Sequence, residues 1–181
     1  MSDGLAAGRA ALERGEWQSA YETFEAVLRV EDRPDALEGL GLAAWWLDLA
    51  DVVFDVRERA YRGYRERGDS LGAARMAVWL AWDTAAFRGE QAVASGWLQR
   101  ARRLLEGLPD APEHAWLASR AGIWALLDDG DPHEAEKFAA EAVRVGRPPV
   151  PWTTRWWAAR CTASRASLPA PWLKGCRSST K

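Results

Sequence analysis

Gly15-Glu16-Trp17-Gln18-Ser19-Ala20 returns as Gly89-Glu90-Gln91-Ala92-Val93-Ala94, and again as Gly130-Asp131-Pro132-His133-Glu134-Ala135. Each copy is a glycine, then an acid, then an alanine five residues after the glycine. A degenerate copy runs from Asp48 to Val53, so the intervals are 33, 41 and 41 residues. Glycine takes the left-handed backbone that ends a helix. The acid that follows suits the positive N-terminus of the next helix. The small fifth residue lets two helices approach closely. The motif therefore predicts helix, tight turn, helix, four times over.

The flanking patterns place the helices coarsely. Residues 3–14 and 17–30 form the first pair, and 35–47 with 49–67 the second, opened by Pro34-Asp35. After a break at Gly68-Asp69, 71–87 pairs with 90–107. A loop from Pro109 to Pro112 precedes 113–127 and 132–146. Trp17, Ala20, Tyr21, Phe24, Val27 and Leu28 share one helical face. No stretch alternates with period two for long enough to argue for a strand.

Composition narrows the function classes. The chain has 181 residues, is 48% hydrophobic and 28% charged, and carries a net charge of -2. That fits an ordinary globular chain and gives no general reason to expect a nucleic acid or an anionic membrane. Twelve tryptophans stand against four phenylalanines. Arginine outnumbers lysine 21 to 3, which reads as coding bias rather than a binding signal. The first residues lack the basic and apolar regions of a secretory signal, and the most apolar stretch, 39–47, is about half a membrane span. Cys161 and Cys176 read as free thiols of a cytoplasmic protein.

The four units resemble the tetratricopeptide repeat family. Gly8, Ala20, Phe24 and Pro34 match its consensus in the first copy, and Gly41, Ala60 and Tyr61 match loosely in the second. Ala94, Leu98 and Ala101 match in the third, and Ala135, Ala139 and Ala142 in the fourth. The resemblance covers about residues 3–146. It implies an all-α fold, a right-handed α-solenoid of four helix-turn-helix repeats. The 41-residue intervals exceed the usual ~34, so the later helices should be longer than standard. The stretches Ala36-Leu-Glu-Gly-Leu-Gly-Leu-Ala-Ala-Trp-Trp-Leu-Asp, Arg57-Glu-Arg-Ala-Tyr-Arg and Trp97-Leu-Gln-Arg-Ala-Arg-Arg-Leu-Leu are similar to the N-terminal helical array of large bacterial LuxR-type transcriptional regulators. Such regulators end in a helix-turn-helix domain, which these residues do not include. The resemblance therefore implies a regulator fragment and carries no DNA binding with it.

In the repeat family the first helices line a concave groove. Carried over by register, the residues facing it are Glu38, Trp45 and Trp46, then Trp79, Asp83 and Phe87, then Arg120 and Trp124. A groove of this kind suits a protein or peptide with apolar anchors. A small-ligand sensor, with Trp45, Trp79 and Trp124 stacking on an apolar or cationic ligand, is the alternative. The simpler reading, favoured over the groove, makes most of these tryptophans core, since each helix pair must bury a face; Trp79 and Trp82 cannot point the same way, so at least one of them belongs to the core.

Catalytic and metal chemistry find little support. There is no phosphate-binding loop and no nucleophile elbow. Gly39-Leu-Gly41 lacks the strand of a dinucleotide site and reads as close helix packing. His114 and His133 read as solvated turn residues, far from the three or four converging ligands of a metal site. Asp128-Asp129-Gly130-Asp131 lacks the alternating ligands of a calcium loop and reads as a turn and cap. The arginines at 57, 59, 62, 65, 67, 100, 102 and 103 read as a solvated face with i,i+4 pairs. No enzyme, cofactor or metal is expected.

The array is assigned to 1–147 and a basic, Pro/Trp-rich tail to 148–181. Residues 147–181 carry +7 without one acid, and hold five of the nine prolines and four tryptophans. The plain reading is a disordered extension. A sharper one is translation out of frame. Shifted by two bases, and with free choice among synonymous codons, Pro151-Trp-Thr-Thr-Arg-Trp-Trp can be back-translated to Val-Asp-Asp-Glu-Val-Val-Gly, and Pro171-Trp-Leu-Lys-Gly-Cys to Met-Ala-Glu-Gly-Met. On that reading the last helix pair bares an apolar face, and the chain self-associates through it.

Overall fold

The computed structural model describes residues 2–127 and 130–145; the tail, both cysteines and Asp128-Asp129 lie outside the described residues. Every regular element among the described residues is helical. The helices are α1 (Ser2–Arg14), α2 (Trp17–Leu28), α3 (Pro34–Trp46), α4 (Ala50–Glu66), α5 (Ser70–Asp83), α6 (Gln91–Leu105), α7 (Pro112–Leu127) and α8 (Pro132–Val145). A π-helical turn, Thr84–Arg88, extends α5. Helices α4, α6 and α7 hold 17, 15 and 16 residues, against 13 and 12 in α1 and α2. The observed bounds lie within a few residues of those read from the sequence.

The recurrent motif makes the turns. Gly15, Gly89 and Gly130 have φ of 75°, 66° and 64°. In the degenerate copy Asp48 takes the same conformation, with φ of 61°. At the first two turns the bonds closing the helix follow one pattern. Gly15 N–H donates to the Leu12 carbonyl (3.0 Å) and Glu16 N–H to that of Ala11 (2.9 Å); Asp48 bonds Trp45 (3.3 Å) and Leu49 bonds Ala44 (3.0 Å) in the same way. These pairs satisfy carbonyls that a helix end would leave orphaned. The later two turns are wider by one residue: Glu90 N–H reaches back to Thr84 (3.4 Å) and Asp131 to Ala125 (2.8 Å).

The fifth residue of each copy sits where helices meet. Ala20, Val53 and Ala94 are completely buried, and Ala135 packs against Gly122, where a side chain would lie 3.4 Å from the Ala135 carbonyl. Each helix packs on its neighbours in sequence, and beyond these α5 touches α7 and α1 touches α3. The core is rich in alanine, with Phe24, Met76 and Leu80 as its large members.

Candidate interaction surface and the ion pairs beneath it

Aromatic side chains gather where α2 begins and where α3 and the π-turn end. Trp17 stacks on Trp46 with ring centroids 5.2 Å apart. Trp46 meets Trp45 edge to face at 5.1 Å, Trp45 meets Phe87 at 6.4 Å, and Phe87 meets Phe54 at 6.2 Å. Arg88 lies over the Phe54 ring at 3.7 Å. Trp17, Trp45, Trp46 and Phe87 are each half-buried. The result is a ladder of five rings along the edge that carries the turns at Gly15, Asp48 and Gly89. Large, rigid aromatic surface with an indole N–H is what protein interfaces favour.

Under the ladder lies a buried ion pair. Arg57 of α4 and Asp83 of α5 are both fully buried, with Arg57 Nε 2.6 Å from Asp83 Oδ2. The guanidinium covers the Trp79 ring at 4.3 Å, and Trp79 meets Trp116 edge to face at 4.9 Å. The Trp45 indole N–H also faces the Asp83 carboxylate. Burial pushes Asp83 up to about 6, against the opposing pull of Arg57 and Arg120. Burial likewise pushes the Arg57 guanidinium down, and that of Arg120 down to about 10. Arg57 Nη1 and Nη2 make no hydrogen bond among the described residues. Charge and the indole face hold the group in place of a bidentate fork.

A second cluster joins helices far apart in sequence. Arg75 of α5 grips Glu38 of α3 through two bonds, Nε to Oε1 at 2.7 Å and Nη2 to Oε2 at 2.9 Å. Its Nη1 donates to Glu113 of α7 at 2.7 Å. The Tyr64 hydroxyl of α4 donates to Glu38 Oε2 at 2.8 Å. Burial and the Glu38 charge raise the Tyr64 hydroxyl well above its ordinary value. Arg75 is raised too, because its two carboxylates outweigh its burial. Glu38 and Glu113 thus share one cation.

The eight residues expected in the groove fall in different places. Trp45, Trp46 and Phe87 belong to the half-exposed ladder. Glu38, Trp79 and Asp83 are interior, 7%, 3% and 0% exposed. Arg120 is half-buried and lies over the Trp82 ring at 4.1 Å, and Trp124 is half-buried on α7, outside the ladder. The structure brings Trp45, Trp79 and Arg120 together around the Arg57–Asp83 pair, Trp45 and Arg120 on the Asp83 side and Trp79 under Arg57. Sequence reasoning had put Arg57 on a solvated basic face, and the structure places it in the core instead. Arg57 follows Val53 by four residues and precedes Ala60 by three, on the buried face of α4, and that helical spacing was the available signal. Trp17, Phe54 and Arg75 were also missed as neighbours of these residues. His114 is not a solvated turn residue: Ala111 N–H donates to its Nδ1 at 3.2 Å, so its Nε2–H donates to the Leu105 carbonyl, also at 3.2 Å. It fastens the loop between α6 and α7. His133 is exposed, at the first turn of α8.

Among the described residues no three His, Cys, Asp or Glu side chains cluster as metal ligands would. No described helix is long and apolar enough to cross a membrane. No protein-family model matches the chain, and no curated protein matches it either.

Proposed function

We propose that the chain is a non-catalytic scaffold that binds a protein or peptide partner through the half-exposed aromatic residues at the turn-bearing edge, Trp17, Trp45, Trp46 and Phe87. Its framework is read as a tetratricopeptide-like right-handed solenoid of four helix pairs. The supporting observation is the ladder of Trp17, Trp46, Trp45 and Phe87, half-exposed, resting on the buried Phe54 ring and backed by a buried ion pair. Aromatic anchors over a fixed base are what binding hot spots use. The recurrent left-handed turns and neighbour-by-neighbour packing support the repeat reading. The resemblance to LuxR-type regulators suggests a cytoplasmic fragment that senses a partner and relays the change to a DNA-binding end.

Two observations weigh against the other classes. The buried carboxylates are held by arginines, Glu38 and Glu113 by Arg75 and Asp83 by Arg57, which is a structural use. The small-ligand reading needs Trp79 as a stacking ring, and that ring already carries Arg57 on its face and Trp116 at its edge.

The test is comparative retention of partners from a lysate of the encoding cells. Wild type, Trp46→Ser and Arg62→Ala are immobilised after circular dichroism has checked their helix content. The expected result is a protein retained by wild type and Arg62→Ala and about tenfold depleted on Trp46→Ser, a typical hot-spot loss. Equal retention by all three overturns the proposal.

A further inference from the structure

We propose that a cleft between α4 and α6, separate from the aromatic ladder, binds a phosphate monoester. The cleft is open to solvent, has a volume of about 420 Å³ and is lined by Tyr61 and Arg65 of α4, Ser70 at the start of α5, and Arg100, Arg103 and Leu104 of α6. Spacings of three and four residues put each set on one helix face. Tyr61 meets Trp97 edge to face at 5.3 Å, and Arg100 lies over the Trp97 ring at 4.4 Å, so an aromatic pair stands beside the cationic wall.

The charge in this cleft is unbalanced. Arg65, Arg100 and Arg103 make no ion pair with a carboxylate among the described residues. Arg65 has a single weak contact, Nη1 to the Tyr61 hydroxyl at 3.4 Å. The other arginines of α4 are accounted for: Arg57 is buried against Asp83, Arg59 bonds Asp32 and Asp55, and Arg62 leans on Glu58. Asp69, beside Ser70, turns its Oδ1 to cap Gly72 N–H at 2.8 Å. The uncompensated cations of α4 and α6 therefore converge on one small volume instead of forming the long basic stripe that a nucleic acid would need.

The chemistry of the lining selects the ligand. Three guanidinium groups match a dianion, and their planar forks suit tetrahedral oxyanions. The Tyr61 and Ser70 hydroxyls add neutral donors. The volume falls at the lower end of small-molecule sites and exceeds what one inorganic ion requires. Leu104 and the aromatic pair give the ester group an apolar neighbour.

The experiment is isothermal titration of the full chain with phenyl phosphate, inorganic phosphate and benzoate at matched ionic strength, which controls for general screening. Saturable binding of phenyl phosphate is expected, tighter than inorganic phosphate and benzoate. Arg100→Ala and Arg103→Ala should each weaken it about tenfold or more, the loss expected of a charge-assisted bond. Arg59→Ala, on α4 but outside the cleft, should leave it unchanged. These side chains are exposed, so the variants should keep the wild-type melting temperature. Failure to saturate, indifference between phenyl phosphate and benzoate, or equal loss in Arg59→Ala overturns the proposal. None of these outcomes bears on the aromatic ladder.

Discussion

Arg57 shows how one side chain can be both costly and hard to remove. Taking a guanidinium out of water is unfavourable, and a single carboxylate and an indole face compensate only in part. Removing it strands Asp83 in the same apolar surroundings. Arg57→Met should therefore destabilise the fold by about 3 kcal/mol near pH 7.5, the range for breaking a buried pair. Urea denaturation would measure this. The loss should shrink at pH 5, because the stranded carboxyl can take up a proton. Asp83 itself has a pH signature. Its folded value of about 6 lies above the ordinary ~3.9 of an unfolded aspartate. The folded state then binds the extra proton, so the contribution is complete below about pH 4 and is lost as pH rises through 6. Arg57 and Arg120 are the charged groups facing it, and both pull its value down against burial. Asp35 runs the other way, since its partners Arg33 and Arg9 lower its value. The difference between wild type and Asp83→Asn isolates the effect: wild type should gain stability relative to the variant as pH falls from 7 to 4. A flat difference across that range would refute the assignment.

Helices and turns were the legible part of this sequence, because their signals are local. Period 3.6, glycine after the last apolar residue and proline at the next start all act within a few residues of the boundary they set. Asp48 tests that logic, since it occupies the left-handed position that glycine holds in the other copies. An L-residue there is strained by roughly 1 kcal/mol, less for Asp than for most. Asp48→Gly should stabilise the α3–α4 hairpin by up to about 1 kcal/mol, offset in part by the entropy of an unfolded glycine. A lower urea midpoint would show that Asp48 contributes an interaction beyond the backbone. Gly39 tests the opposite case. The sequence reading assigned it to close helix packing, and the fully buried Phe24 ring of α2 lies against it, with Gly8 of α1 facing the same ring. Alanine would gain about 1 kcal/mol of helix propensity. Its methyl group would meet a ring with no room to swing, at about 1–3 kcal/mol. The clash should win, and the melting temperature of Gly39→Ala should fall.

At the scale of the whole molecule, the pairings that sequence could not reveal are the ones that tie distant helices together. Glu38 and Arg75 are 37 residues apart, and Arg75 and Glu113 are 38. No window of the sequence contains both ends. Register placed Glu38 among groove residues because the family's first helices share a direction. It could not tell that α5 would supply an arginine to bury it. The consequence concerns cooperativity. A chain of helices packed on their neighbours unfolds as a sum of local units, and a weak interface lets one end melt first. Arg75 counters this by bonding α3 and α7 at once from α5, with Tyr64 of α4 on the same carboxylate. Arg75→Ala should leave Glu38 and Glu113 buried beside each other without a cation, and α7 should lose its link to the second helix pair. Hydrogen exchange on the variant should show protection of α7 and α8 falling well below that of α3 and α4. In wild type the two regions should open with closer free energies, as one cooperative unit does. Arg59→Ala, which removes an exposed pair on α4, should not separate them. If Arg75→Ala lowers protection evenly along the chain, the brace adds stability without coupling the ends, and cooperativity must come from the alanine-rich core alone.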